Sequence, residues 1–430
     1  MDGRVGEVVV KRVLMVAYHY PPIQGSSGVQ RTLSFSRYLP EHGWQPTVLT
    51  VHPRAYPKTH DGQLGQILST VTVKRAFALD TSRHLSIRGA YPGVLALPDR
   101  WSSWWLGAVP AGLRLIRRHR PEVLWSTFPI ATAHLIGLTL HRLTGIPWVA
   151  DFRDSMTEDN YPPDRTTWRL YRWIEKNAVM HSRRAVFTTR GAVAMYAARY
   201  PEIPPTRWSL IANGYDEDSF VEAEKSAPKP RASGSPAVLV HSGLLYPSER
   251  DPRVFFAALA EMMREGVASP ANTNVILRAS GYDEYYEQII REHGLQGIVR
   301  LEPAIPYRAA LGEMLSADGL LIFQASNCNH QVPAKLYEYL RARRPILALT
   351  DPTGDTAAVL RDAGLQTIAP LDSKDRIKAA LTEFLQAIRE RRSVTASAAA
   401  IMRYSRRSQA SELAALLDSL CTNSDAAGAA

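Results

Sequence analysis

Gln324-Ala-Ser-Asn-Cys-Asn-His-Gln-Val-Pro-Ala-Lys-Leu-Tyr-Glu-Tyr-Leu-Arg-Ala-Arg-Arg-Pro-Ile-Leu-Ala-Leu349 is the stretch whose reading decides the fold. Residues 318–323 before it are apolar and short enough for a buried strand, and Pro345–Leu349 reads as the next strand. Between them lie a polar loop, Pro333 near a helix start, and a helix of about two turns over Ala334–Arg343. In such a strand–loop–helix–strand unit, backbone N–H groups at the helix start can receive an anion. Lys335 stands in the first turn, where the helix dipole disfavours a cation, so a phosphate nearby would account for it. Glu338 follows one turn later on about the same face, placed to accept hydrogen bonds from sugar hydroxyls. On spacing alone, a solvated helix with an i, i+3 Lys–Glu pair is the stronger reading.

The chain has 430 residues, which suits two domains of about 200 residues each. Two cysteines, Cys328 and Cys421, without a CxxC or a Cys/His cluster, point to neither a disulfide framework nor a zinc site. The first seven residues do not have a signal-peptide layout. Residues 124–150 are the most apolar, but His134, His141 and Arg142 interrupt them, so no transmembrane span is expected. The expected location is cytoplasmic, peripheral on the inner face of the cytoplasmic membrane. A net charge of +10 favours phosphorylated substrates, polyanions or an anionic membrane surface. Without a nucleic-acid motif beside that charge, nucleic acid is not expected as a partner.

The rest of the chain alternates strands and helices in two halves, the pattern of doubly wound α/β domains. Lys11–Tyr18 is a buried strand, the loop 19–28 ends in Gly25-Ser26-Ser27-Gly28, a helix follows, and Pro46–Val51 is the next strand. This βαβ unit has glycines at a strand's carboxyl end, where such sheets bind ligands, but it lacks GxGxxG and an acid after the second strand. A flexible turn is the plainer account of the glycines. A strand is expected over Val71–Arg75. Trp101, Trp104 and Trp105 precede a helix that Pro110 should break in two, and Arg114, Arg117, Arg118 and Arg120 crowd its end. These cations either complement the helix dipole or, with interfacial tryptophans, dock on anionic lipid. A second βαβ crossover ends in Asp151-Phe-Arg-Asp154. Its carboxylates either face a site or pair with Arg153. Asp216-Glu-Asp218 follows an Asn-Gly turn and reads as a solvated turn rather than a metal site. The linker is Pro/Ser/Gly/Lys-rich and spans 223–236. Beyond it, Gly243 permits close approach of a ligand to the backbone, and Arg250 can meet a diphosphate bidentately. The last helix is expected over Ser397–Leu420.

The run Val332-Pro-Ala-Lys-Leu-Tyr-Glu-Tyr-Leu, followed by Arg344-Pro-Ile-Leu347, resembles the nucleotide-sugar signature of family 4 of the retaining glycosyltransferases. Tyr20-Pro-Pro, Gly25–Arg31 and Asn213-Gly-Tyr-Asp216 are similar to that family as well. The resemblance covers nearly the whole chain except 54–98 and the tail. It implies the GT-B fold: two doubly wound Rossmann-like domains facing a cleft, with a C-terminal helix crossing back to the first. The implied domains are 1–222 on the acceptor side, 237–396 for the nucleotide sugar, and the returning helix at 397–422. It further implies that Glu338 holds the donor ribose, and that Gly25, Ser26, Ser27, Gly28, Gly243, Val332, Pro333, Ala334 and Lys335 surround the donor. Ile305 lies where the family reads the base through the backbone, and Asp151 and Asp154 lie on the acceptor side. The chain departs from the pattern twice. His330 replaces a glutamate eight residues before Glu338, and Leu244 replaces an arginine after Gly243.

The function expected is transfer, without a metal or cofactor, of a sugar from a nucleotide-diphosphate sugar to a hydroxyl of a glycan or lipid-linked acceptor. Arg250 and Lys335 would stabilise the leaving diphosphate, with Asp151 and Asp154 positioning the acceptor. The rivals are a nucleotide-sugar epimerase of the same fold, an inactive homologue acting as a binding partner, and a periplasmic sugar-binding protein.

Overall fold

The computed structural model describes residues 10–24, 28–226 and 234–427, with the side chains of 422–427 left aside. Gly25, Ser26 and Ser27, and linker residues 227–233, lie outside the described residues. The chain forms two compact units, residues 1–212 with 406–430 and residues 213–405.

The first unit begins with β1 (Lys11–Val16), α1 (Val29–Tyr38), β2 (Trp44–Val51), β3 (Thr72–Ala76), α2 (Thr81–His84) and α3 (Trp104–His119). It continues through β4 (Val123–Thr127), α4 (Ala131–Thr144), β5 (Trp148–Phe152), α5 (Arg165–His181), β6 (Arg184–Phe187), α6 (Arg190–Arg199) and β7 (Trp208–Leu210). The seven strands form one sheet in the order β3-β2-β1-β4-β5-β6-β7, every pairing parallel. Val13–Val16 and all of β4 and β5 are buried, as expected for strands covered by helices on both faces.

α3 corrects the expectation of two pieces: Pro110 sits inside a single helix. Leu106, whose carbonyl loses its donor, lies with Pro110 on the exposed side, where water can take the freed group. The tryptophans at its start have partners within the unit. Trp104 is fully buried, Trp101 donates to the carbonyl of Ala55 (3.1 Å), and Trp105 donates to Thr139 Oγ1 (3.0 Å). The indoles pack in or against the core between α3, the sheet and the loop after β2, while Arg114, Arg117, Arg118 and Arg120 are exposed.

The second unit runs α7 (Glu217–Glu224), β8 (Ala237–Ser242), α8 (Arg253–Arg264), β9 (Thr273–Arg278), α9 (Asp283–Glu292), β10 (Val299–Glu302) and α10 (Tyr307–Ser316). Then come β11 (Gly319–Phe323), α11 (Lys335–Ala342), β12 (Ile346–Leu349), α12 (Asp355–Asp362), β13 (Ile368–Ala369), α13 (Lys374–Arg389) and α14 (Ala398–Arg403). Its sheet is also parallel, in the order β10-β9-β8-β11-β12-β13. Residues 213–222, read from sequence with the first domain, pack here. Arg341 of α11 forms ion pairs with Glu217 (2.6 Å) and Glu224 (2.9 Å) of α7. Asp216 caps α7 through the N–H of Ser219 (3.0 Å). The acids of Asp216-Glu-Asp218 thus include a helix cap and an ion-pair partner.

Two helices stand where one was expected at the C-terminal end. The break falls at Tyr404-Ser405, where the Tyr404 carbonyl accepts from the N–H of Tyr215 (3.1 Å). α15 (Arg406–Ala427) then belongs to the first unit. Leu413, Leu417 and Leu420 enter that unit's core, and Asp418 accepts from Lys11 Nζ (2.7 Å) and Trp44 Nε1 (2.9 Å). Leu417→Ala should therefore destabilise the first unit by about 2–5 kcal/mol. Hydrogen exchange checks this: β1 and β2 should lose protection while β8 and β11 keep theirs.

Candidate functional site

In each sheet the strand order reverses beside the first strand, between β1 and β4 and between β8 and β11. At such a point, loops leave neighbouring strands in opposite directions and open a crevice at the carboxyl ends. In the second unit those loops are 243–252 after β8 and 324–334 after β11, and both carry the candidate donor residues.

The two loops are tied together. The N–H of Ala325 donates to the Glu249 carbonyl (2.7 Å), and Asn327 Nδ2 donates to the Ser248 carbonyl (2.9 Å). The second loop is braced from inside by buried Gln324, whose Nε2 donates to the carbonyls of Cys328 (2.7 Å) and Gln331 (2.9 Å). Asn329 donates to Asp351 (2.6 Å) and holds the next turn, where half-buried His330 sits. Val332 and Pro333 are buried, Ala334 is exposed, and α11 starts at Lys335 with no side-chain cap. An uncapped helix start leaves N–H groups available to an anion.

Lys335 is half-buried, and its Nζ lies 3.0 Å from His241 Nε2. Burial pushes the Lys335 ammonium down to about 7, the neighbouring charge of Arg250 adds to this, and Glu338 opposes it. Gly243 faces the same amine. It has φ +113°, a conformation that favours glycine, and a Cβ there would stand 2.8 Å from Nζ and push the amine aside. Arg250 has a buried Nε with no hydrogen-bond partner, and its guanidinium lies over the Tyr246 ring at 5.4 Å. Two cationic side chains, one with an unsatisfied buried N–H, thus face each other at a helix start. Glu338 is half-buried and accepts from the Tyr307 hydroxyl (2.8 Å). Ile305 is half-buried in the turn before α10.

In the first unit, Asp151 is fully buried, and it does not pair with Arg153. Arg31 meets it with Nη2 (2.7 Å to Oδ1) and Nε (3.0 Å to Oδ2), and Thr127 Oγ1 donates to Oδ2 (2.8 Å). Its lone pairs are committed, which removes it from the acceptor-facing set. Asp154 is exposed. Arg153 Nη1 donates to the Gly28 carbonyl (3.4 Å), and its Nε is buried without a partner. Burial lowers the Arg153 pKa, partly offset by Asp154. His19 is pushed down to about 3 by burial and by Arg153. A Cβ on Gly28 would meet Arg153 Nη1 at 2.7 Å and the His19 ring at 3.0 Å. The loop after Asp154 is anchored by buried Glu175, which accepts from Thr157 Oγ1 and Tyr196 Oη at 2.9 Å each.

Residues 27–214 match the model of a family described as glycosyl transferase 4-like domain. The chain has the GT-B fold. A sucrose-phosphate synthase from Thermosynechococcus elongatus is 12% identical, covers 96% of this chain and 100% of its own, and superposes with a TM-score of 0.66. WaaG, a glycosyltransferase involved in lipopolysaccharide biosynthesis, is 14% identical over 94% of this chain and 99% of its own, with a TM-score of 0.57. A UDP-GlcNAc 2-epimerase from Neisseria meningitidis, bound to UDP-GlcNAc, is 11% identical over 94% and 99%, with a TM-score of 0.54. No curated protein sequence matches the chain significantly.

Sequence reasoning missed His241, Tyr307, Arg31 and His19. His241 is a lone histidine in an apolar strand, and Arg31 a lone arginine on the buried side of a helix. Each is a polar residue where periodicity calls for an apolar one, and that was the available signal. A pocket of about 730 Å³ also opens in the second unit, lined by Glu249, Asp251, Ala325, Asp351 and Asp372 among others. Its lining includes none of Gly243, Lys335 and Glu338.

The Lys335 environment has a measurable signature. Folded Lys335 releases its proton near pH 7, whereas an unfolded lysine holds it to about 10.5. Between these values the unfolded state binds more protons, so stability rises with pH. Urea midpoints of the second unit's transition should increase from pH 7 to pH 9, and Lys335→Met should abolish that slope.

Proposed function

We propose that the protein is a retaining glycosyltransferase that moves a sugar from a nucleotide-diphosphate sugar to a hydroxyl of a glycan or lipid-linked acceptor. The observation that carries this reading is the pairing of Lys335 and Arg250 at the uncapped start of α11, over Gly243. Holding a buried ammonium beside a second cation is unfavourable without an anion, and the Lys335 pKa, depressed first by burial and then by Arg250, expresses that cost. A donor diphosphate supplies the missing charge. It gains more negative charge as the sugar departs, so ammonium and guanidinium stabilise the transition state more than the ground state.

Glu338, held by Tyr307, accepts from the ribose hydroxyls, and the backbone near Ile305 meets the base. Val332, Pro333, Ala334 and His330 line the donor loop. Gly28 approaches the donor phosphates and Asp154 positions the acceptor, whose hydroxyl proton passes to the leaving phosphate. With two side-chain cations on the diphosphate, the reaction proceeds without a divalent metal. Because an epimerase shares the fold, the deciding assay is transfer. Incubation with a panel of nucleotide-diphosphate sugars and candidate acceptors should yield nucleoside diphosphate and an α-linked product from an α-linked donor. Interconversion of donor sugars without nucleotide release would overturn the reading.

Within that assay, Glu338→Gln should weaken donor binding by roughly 1–3 kcal/mol by calorimetry, the range for a lost charged hydrogen bond. Arg250→Ala should lower kcat more than it raises the donor Kd. Turnover should persist in EDTA, and abolition with rescue by magnesium or manganese would refute the metal-free mechanism.

A further inference from the structure

We infer that His241 is the positioning residue that aims Lys335 Nζ at the donor diphosphate; the inference rests on the reading above and concerns a residue that reading does not use. His241 lies in β8 and is 1% exposed. Its Nδ1 stands 2.9 Å from the carbonyl of Leu321 on the neighbouring strand β11. A carbonyl only accepts, so Nδ1 carries the ring proton and Nε2 of the neutral imidazole is an acceptor. Nε2 faces Lys335 Nζ at 3.0 Å. The ring cannot swing away, since it packs edge-on against Phe323 at 5.1 Å in a fully buried strand pair.

The charged groups that face Lys335 are Arg250 from the loop after β8 and Glu338 from its own helix, with His241 itself neutral. Burial, reinforced by the Lys335 charge, holds the His241 imidazolium form well below its usual pKa. The imidazole therefore takes one N–H of the ammonium and leaves two for phosphate oxygens. A lysine side chain has four rotatable bonds, and fixing its tip before the donor arrives lowers the ordering cost of binding. The arrangement also links β8 and β11, the strands flanking the crevice, to the cation in the first turn of α11.

The test compares wild type with His241→Phe, which keeps the ring shape and removes the acceptor, and His241→Gln, which restores an acceptor near the Nε2 position. Competitive acetylation of Lys335 across pH 5–10, read by mass spectrometry, requires no donor. Loss of the acceptor destabilises the ammonium, so in the Phe variant the Lys335 titration should move to lower pH by about 0.5 unit or more. Donor kcat/KM should fall about 10-fold with the acceptor KM unchanged, and its pH profile should shift in the same direction. The Gln variant should lie nearer wild type in both measurements. Wild-type Lys335 titration in the Phe variant overturns the inference, as does a loss that Gln does not recover, because the effect then follows ring shape. If the Phe variant fails to fold, a shifted Lys335 titration in the Gln variant overturns it, and a wild-type one supports it. Absence of donor binding by the wild-type protein would instead count against the proposed function, and the acetylation profile would still judge His241.

Discussion

The first unit depends on one buried ion pair. Arg31 and Asp151 are 2% and 0% exposed, and in so dry a setting each is tolerable only because the other is present. Removing one partner of such a pair costs about 3–5 kcal/mol, since the survivor is left charged and unsolvated. The pair is also a junction. Arg31 belongs to α1, Asp151 to the end of β5, Thr127 to the end of β4, and the guanidinium donates to the carbonyls of Ile211 and Ala212 beyond β7. One guanidinium thereby fixes the start of α1, and with it Gly28, to the carboxyl ends of the sheet. Because Asp151 is spent on Arg31, Arg153 is left to approach Gly28 and His19, and Asp154 is left exposed.

The second unit arranges its charge by the opposite principle. There Arg250 and Lys335 are brought together, and the acid that acts on Lys335 among the described residues, Glu338, is also engaged by Tyr307. The first site is complete within the protein; the second is electrostatically incomplete. That difference is what supports the proposal of an anion at the second cluster.

Much of this was legible in the residues. Alternating apolar runs and helical stretches gave two parallel sheets, because parallel strands buried on both faces read as unbroken apolar segments such as Val13–Val16 and Leu320–Phe323. The signature stretch placed Lys335 and Glu338 on the first turns of α11, since helix phase depends on local spacing alone. What sequence could not give was partnership across the sheet. Asp151 looks like a site carboxylate until Arg31, 120 positions earlier, is seen to reach it. The tryptophans at the start of α3 have the composition of an interface, and only tertiary partners such as Ala55 and Thr139 show them packed in or against the core. The break at Tyr404-Ser405 was likewise set by Tyr215, a residue remote in the chain.

α15 has a consequence for the order in which the chain acquires structure during synthesis. The second unit is continuous in sequence, so everything its core needs has emerged from the ribosome once residue 405 has. The first unit is not, because Leu413, Leu417, Leu420 and the Asp418 contacts to Lys11 and Trp44 come from a segment made after the second unit. Until then α1 and the start of β2 expose the apolar surface that α15 will cover. Domains generally fold as units, the N-terminal one first. Here the first unit emerges first and is finished last, which makes the nascent chain's period of greatest vulnerability coincide with the folding of its second half.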